Sequence, residues 1–162
     1  MIFDRPNLLF HLHEKAKPVF EPFLAEVQAK CFNILIHGVI YSVAKGIELN
    51  KDNPKNPIWS YHTFGFAVDM NIINIDTNRC YMKIDSKQVW EDTGIPELAR
   101  SHGLFWGGDY RTYHDPIHFE YRILPFPELR KLGKAQFNDE PDKEYNKVII
   151  PELVISHQLI SN

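Results

Sequence analysis

Two short stretches of this chain carry the residue types that metal-assisted chemistry uses. The first, SYHTFGFAVDM, runs from Ser60 to Met70 and sets His62 and Asp69 seven residues apart among aromatic and small side chains. The second, HDPIHFE, runs from His114 to Glu120 and places His118 three residues after Asp115, with Pro116 bending the chain between them. Two imidazoles and one carboxylate match a three-ligand zinc site that leaves its fourth position for water. Zinc in such a site lowers the pKa of bound water to about 7 and polarises a scissile carbonyl. A general base is also needed. Asp115 is the best placed carboxylate, able to take the proton of the water and pass it to the leaving amine.

Backbone geometry limits this reading. Side chains seven apart on a straight strand point to opposite faces, so His62 and Asp69 share a metal only if the chain turns between them. Gly65 is the expected turn, leaving FAVD as strand with Asp69 projecting toward the site. The spacing by itself fits equally well a strand whose Phe64, Phe66 and Val68 fill a core while His62 and Asp69 are solvated flanks. A lone histidine is more often a surface or satisfied core residue than a ligand, and the chain has eight. What sets His62 and His118 apart is their company.

The surrounding elements must position these residues. Residues 14–30 place Val19, Phe23 and Val27 at fourfold spacing, a helical stripe despite Pro18 and Pro22. FNILI (32–36) predicts a short strand, and the polar, proline-bearing stretch 46–59 predicts a long loop. FAVDMNIINI (66–75) and IHFEYRI (117–123) predict strands. Between them, Asp85 and Ser86 cap a helix with Val89, Ile95, Leu98 and Ala99 on its apolar face, ending near His102-Gly103. After Leu124 come two prolines, a charged run and an apolar tail, VIIPELVISHQLI, expected to fold back on the core. The sum is an α+β domain: a small, largely antiparallel sheet with packed helices.

Composition bounds the function. The 162 residues suit one domain, and 44% hydrophobic and 13% aromatic content is globular. A net charge of −3 argues against bulk capture of nucleic acid. No stretch approaches the roughly 18 apolar residues of a membrane span. The first residues carry acids and histidines where a signal peptide has an apolar run, so synthesis in the cytoplasm without a signal peptide is expected. Action outside that compartment would need a separate means of release. Cys31 and Cys80 lack CxxC spacing; one disulfide is possible in principle, and two buried thiols are the expectation.

The pattern SxHxxGxAxD, here Ser60, His62, Gly65, Ala67 and Asp69, resembles the first zinc motif of the D-alanyl-D-alanine carboxypeptidase and dipeptidase family. That family includes phage L-alanyl-D-glutamate endolysins and shares its fold with the hedgehog signalling domain. WGGDYRTYHDPIHFE (106–120) resembles the endolysin branch's WGGD segment followed by D-x-x-H-F, in matching order. The resemblance spans roughly residues 15 to 122. It implies His62, Asp69 and His118 as ligands of Zn2+, Asp115 as catalytic base, and a hedgehog/D,D-peptidase-like fold. Trp106 and the Gly107-Gly108 turn correspond to the framework of the cleft floor, and Ser60, Asp109 and Lys45 are further cleft candidates.

The implied organisation is one zinc peptidase domain over residues 1–162, with a motif-bearing core at about 15–124 and a C-terminal extension at 125–162. The implied activity is cleavage of peptidoglycan stem peptides, as an L-alanyl-D-glutamate endopeptidase of the endolysin type. A phage pore-forming protein, a holin, would release it to the wall. A monomer binding a wall peptide, without nucleic acid or membrane, is expected. The alternatives are a D,D-carboxypeptidase or dipeptidase, and a zinc-containing binding module with weakened catalysis. The last arises because the family's glycine–tyrosine–arginine–serine segment reads HGVIYSVAKG here (37–46), with Ile40 or Tyr41 where an oxyanion-stabilising arginine would sit. Lys45, Arg79, Arg111 and His37 are the candidate replacements.

Overall fold

A computed structural model of the chain describes residues 3–4 and 6–152. Its strands are β1 (Phe3–Asp4), β2 (Phe32–Gly38), β3 (Ala67–Asn74), β4 (Cys80–Tyr81), β5 (Phe105–Trp106) and β6 (His118–Glu120). Its helices are α1 (Lys17–Ala29), α2 (Val43–Asp52), α3 (Lys87–Glu91), α4 (Ile95–Ser101) and α5 (Phe126–Phe137). The strands form one sheet in the order β1-β2-β3-β6-β5, with β4 also paired to β3. β1 runs parallel to β2 and every other pairing is antiparallel. The expected α+β class with a largely antiparallel sheet is the architecture found.

β3 is the hub. Its long edge pairs with β2 from Phe32↔Asn74 to Gly38↔Asp69, with a bulge between Ile36 and Gly38. On its other edge, β6 takes the first residues and β4 the last. α1 buries Phe20, Phe23, Leu24 and Val27 and packs on β2, whose alternate residues Phe32, Ile34 and Ile36 point into the same core. Pro18 lies in the first turn of α1, where its missing N–H costs nothing.

Three expectations change. The stretch 46–59 is not all loop: Ser42 caps α2 by accepting a hydrogen bond from the Lys45 amide at 3.1 Å, and the helix runs to Asp52. Pro54 and Pro57 lie beyond its end, so they stop a helix and do not forbid one. Gly46 lets the following segment fold back, because a Cβ there would sit 2.2 Å from the Ile58 carbonyl oxygen. The strand expected over 117–123 is confined to His118–Glu120. The prolines after Leu124 begin a helix, α5, with Pro127 in its first turn.

The predicted helix after Ser86 is two helices, α3 and α4, separated at Gly94, and it ends at His102-Gly103 as expected. Past α5, Tyr145, Val148 and Ile150 are buried, and the buried His13 ring donates from Nε2 to the Val148 carbonyl at 2.8 Å. That part of the tail folds back on the core; residues 153–162 lie outside the described residues. Both cysteines are free, and Cys31 is exposed and not buried, because it occupies a left-handed turn at φ 62° between α1 and β2.

The turn expected at Gly65 is present. Tyr61–Phe64 form one 3₁₀ turn that Gly65 terminates at φ 71°, and β3 starts two residues later. A Cβ at Gly65 would meet the His11 carbonyl oxygen and the His13 amide nitrogen, both at 2.7 Å. Gly65→Ala therefore combines left-handed strain with a backbone clash, a cost of about 2 kcal/mol or more. Thermal melting should fall by roughly 5 °C or more; an unchanged melting temperature would show that the turn is not under this constraint.

Candidate metal centre

Two ligand candidates meet through the sheet and the third through the Gly65 turn. Asp69 and His118 are direct cross-strand partners in the β3–β6 ladder, which places their side chains on one face. The 3₁₀ turn carries His62 back over the start of β3. His62 Nε2 lies 3.1 Å from Asp69 Oδ1 and 3.1 Å from His118 Nδ1, and His118 Nδ1 lies 2.9 Å from Asp69 Oδ1. The two histidines are buried and Asp69 is nearly so.

The partners of the outer ring nitrogens decide what faces inward. His62 Nδ1 donates to the Val39 carbonyl at 3.1 Å, and a carbonyl can only accept. His118 Nε2 faces the Glu120 carboxylate at 2.9 Å, and burial of Glu120 is outweighed by the His118 and Arg122 charges, which hold its carboxyl below the ordinary range. Each imidazole in its neutral form therefore turns a lone pair toward Asp69. Three electron-pair donors on one point fit a cation, and His62, Asp69 and His118 form such a group among the described residues.

Without a cation between them, a proton takes part of that role. Burial disfavours a charged His118, but the Asp69 and Glu120 carboxylates overcome it and raise its pKa to about 9. Burial likewise opposes ionised Asp69, yet His62 and His118 hold its carboxyl well below the usual range.

Glu120 was not singled out by sequence, although its position two residues after His118 on a strand puts both on one face. It is buried, accepts from Tyr110 Oη at 3.0 Å and from Arg122 Nε at 2.6 Å, and so anchors three groups at once. Tyr41 is the other addition. Its hydroxyl lies 3.4 Å from Asp69 Oδ2, its ring centroid is 4.7 Å from that of His62, and burial together with the Asp69 charge pushes its phenol up to about 12.

These residues line a cleft of about 860 Å³ shared by Tyr41, Ser60, His62, Asp69, Lys83, Asp115, His118, Glu120 and Arg122. Asp115 faces it, three-quarters or more buried, with the Lys83 ammonium 3.1 Å from Oδ1 as an ion pair outside hydrogen-bond geometry. Ser60 lines the cleft and its amide donates to Thr63 Oγ1 at 3.2 Å at the start of the turn. Trp106 lies beneath, fully buried, its indole donating to the Pro116 carbonyl at 2.7 Å and so pinning the segment that carries Asp115 and His118. Gly107 is needed there, since a Cβ would come within 2.4 Å of the Asp115 carbonyl oxygen and 2.9 Å of His118 Cβ.

Two cleft candidates lie elsewhere. Asp109 is drawn away from the cleft by Arg100, 2.9 Å from its Oδ2, and by Lys87. Lys45 points out from α2 and pairs with Glu48 at 2.9 Å. Arg79, paired with Asp85, and the exposed Arg111 and His37 also lie outside the cleft lining. Its cations are Lys55, Lys83 and Arg122.

Residues 53–121, which hold His62, Asp69, Asp115 and His118, match the model of the D-alanyl-D-alanine carboxypeptidase family. Over this segment the chain resembles that peptidase family. Among solved structures the chain is similar to the L-Ala D-Glu endopeptidase ChiX of Serratia marcescens, with 19% identity and a TM-score of 0.56. That likeness covers 78% of this chain and 92% of the ChiX chain, and it shows a shared fold. No curated protein matches the sequence.

Two outcomes test this candidate site. Glu120→Ala leaves His118 Nε2 without its acceptor, so zinc affinity measured against a chromophoric chelator should weaken by about 10- to 100-fold; unchanged affinity would remove Glu120 from the site. In chelator-treated protein the raised His118 pKa stabilises the fold fully below its ordinary value of 6.5, and that stability is lost as pH rises through about 9. Melting temperature should fall across that window, and a flat profile would contradict the coupling.

Proposed function

We propose that the chain is a zinc-dependent peptidoglycan peptidase, a monomer of one domain, that cuts the L-alanyl-D-glutamate bond of stem peptides, as a phage-type endolysin does. The observation that carries this reading is the convergence of His62, Asp69 and His118, with both outer ring nitrogens held by acceptors, beside Asp115 in an open cleft. The peptidase family of residues 53–121 and the endopeptidase fold of ChiX support it. Action on the wall would follow release from the cytoplasm by a separate pore-forming protein.

His62, Asp69 and His118 would hold the metal. When bound, zinc supplies Lewis acidity that polarises the scissile carbonyl and acidifies water. The chain supplies the rest. Val39 and Glu120 keep the two imidazoles in the ligating tautomer. Asp115 takes the proton of the attacking water and returns it to the amine as the C–N bond breaks. Lys83 pairs with the Asp115 carboxylate, its ammonium 3.1 Å from Oδ1.

A D,D-carboxypeptidase is the second reading, favoured by the description of the matched family. Products separate the two: new amino-terminal D-glutamate marks the endopeptidase, and free D-alanine the carboxypeptidase. Purified wall incubated with the zinc-loaded protein should release new amino termini, and chelator should stop it. His62→Ala should lose metal, whereas Asp115→Ala should keep it and lose about 10²- to 10⁴-fold in rate. No release from any wall type would sink the proposal.

A further inference from the structure

The short segment between β2 and α2, residues 39–42, does two jobs at the cleft. Its Val39 carbonyl accepts from His62 Nδ1, and two residues later Tyr41 turns its hydroxyl toward the same site. The segment is fixed at both ends, by the Gly38↔Asp69 ladder pair and by the Ser42 cap of α2. Gly38 also makes the space that the phenol fills, since a Cβ there would lie 2.5 Å from Tyr41 Oη. The ring packs on His62 at 4.7 Å, leaving the hydroxyl as the polar end that reaches Asp69.

The Tyr41 hydrogen bond to Asp69 Oδ2 is long, 3.4 Å against a usual 2.7–2.8 Å for O–H···O. A donor held that loosely is free to aim at a better acceptor when one develops. The cations of the cleft stand differently. Lys83 is paired with Asp115, Arg122 with the buried Glu120, and Lys55 stands exposed on the segment after α2.

Resting on the peptidase reading above, we propose that Tyr41 is a catalytic residue that donates its O–H to the oxyanion formed when water adds to the scissile carbonyl. In that step the water oxygen bonds to the carbonyl carbon, the C=O π pair moves onto oxygen, and Asp115 takes the proton. The oxyanion then accepts from Tyr41, a stronger acceptor than the carbonyl it replaces. Collapse restores the C=O, breaks the C–N bond and delivers the Asp115 proton to the amine. Tyr41 remains neutral throughout.

The test uses full-length zinc-loaded protein, wild type and Tyr41→Phe, with three measurements: hydrolysis of a wall-derived stem peptide, zinc affinity against a chromophoric chelator, and calorimetric binding of a phosphinate analogue of L-alanyl-D-glutamate. The proposal expects kcat to fall by about 10²- to 10³-fold with little change in KM. It expects the phosphinate to bind correspondingly more weakly and zinc affinity to stay within about twofold. If zinc affinity drops along with activity, Tyr41 serves only to hold Asp69, and the proposal fails. Full activity of Tyr41→Phe beside an active wild type overturns this inference alone. An inactive wild type that binds zinc overturns the peptidase reading, and this inference with it.

Discussion

The interaction on which the site depends is the meeting of three electron-pair donors, His62 Nε2, Asp69 Oδ1 and His118 Nδ1, at separations of 2.9–3.1 Å. Left uncompensated, such a cluster costs desolvation of each buried group, on the order of 1–3 kcal/mol apiece. A folded chain tolerates it only when something positive sits between the donors or when the donors are held so that they cannot move apart. Here they are held. Val39 and Glu120 grip the outer nitrogens, and the β3–β6 ladder fixes Asp69 against His118.

That grip extends into a hydrogen-bonded polar framework around the site. Glu120 is buried and charged, a costly arrangement unless every lone pair is used. It accepts from His118, Tyr110 and Arg122, so its desolvation is offset by charge-assisted hydrogen bonds. Behind it, Trp106 donates to the Pro116 carbonyl, and Gly107 and Gly108 let the turn lie flat against Asp115 and over the indole. The apolar core, from Phe20 and Phe23 on α1 to Phe66 just before β3 and Phe119 in β6, supplies the burial that lets these polar groups keep their places.

Much of this was legible in the residues. Spacing alone left His62 and Asp69 open to a plain strand reading, and it was the two motifs in order that singled them out with His118; Gly65 is the residue type that a left-handed turn between His62 and Asp69 requires. The apolar periodicity of α1 and β2 and the Ser86 cap gave their elements, because those signals are local. α2 was hidden: its prolines fall just past its end, and the close approach of Ile58 to Gly46 is a tertiary contact. α5 was hidden too, since Pro125 and Pro127 read as breakers until their place at its start is known.

What the sequence by itself determined is the chemistry available: two histidines and two aspartates in strand-and-turn contexts able to bind a cation and move a proton. What only the tertiary structure decided is which other side chains act with them. Glu120 and not Asp109 beside His118, Arg122 and Lys83 and not Lys45 in the cleft, and Tyr41 against Asp69 follow from contacts between segments 20 or more residues apart in the chain or from the face of a strand. The physical reason is that a residue's type and its near neighbours set its local conformation. Its distance from a remote group is set by sheet register and packing, which no local pattern encodes.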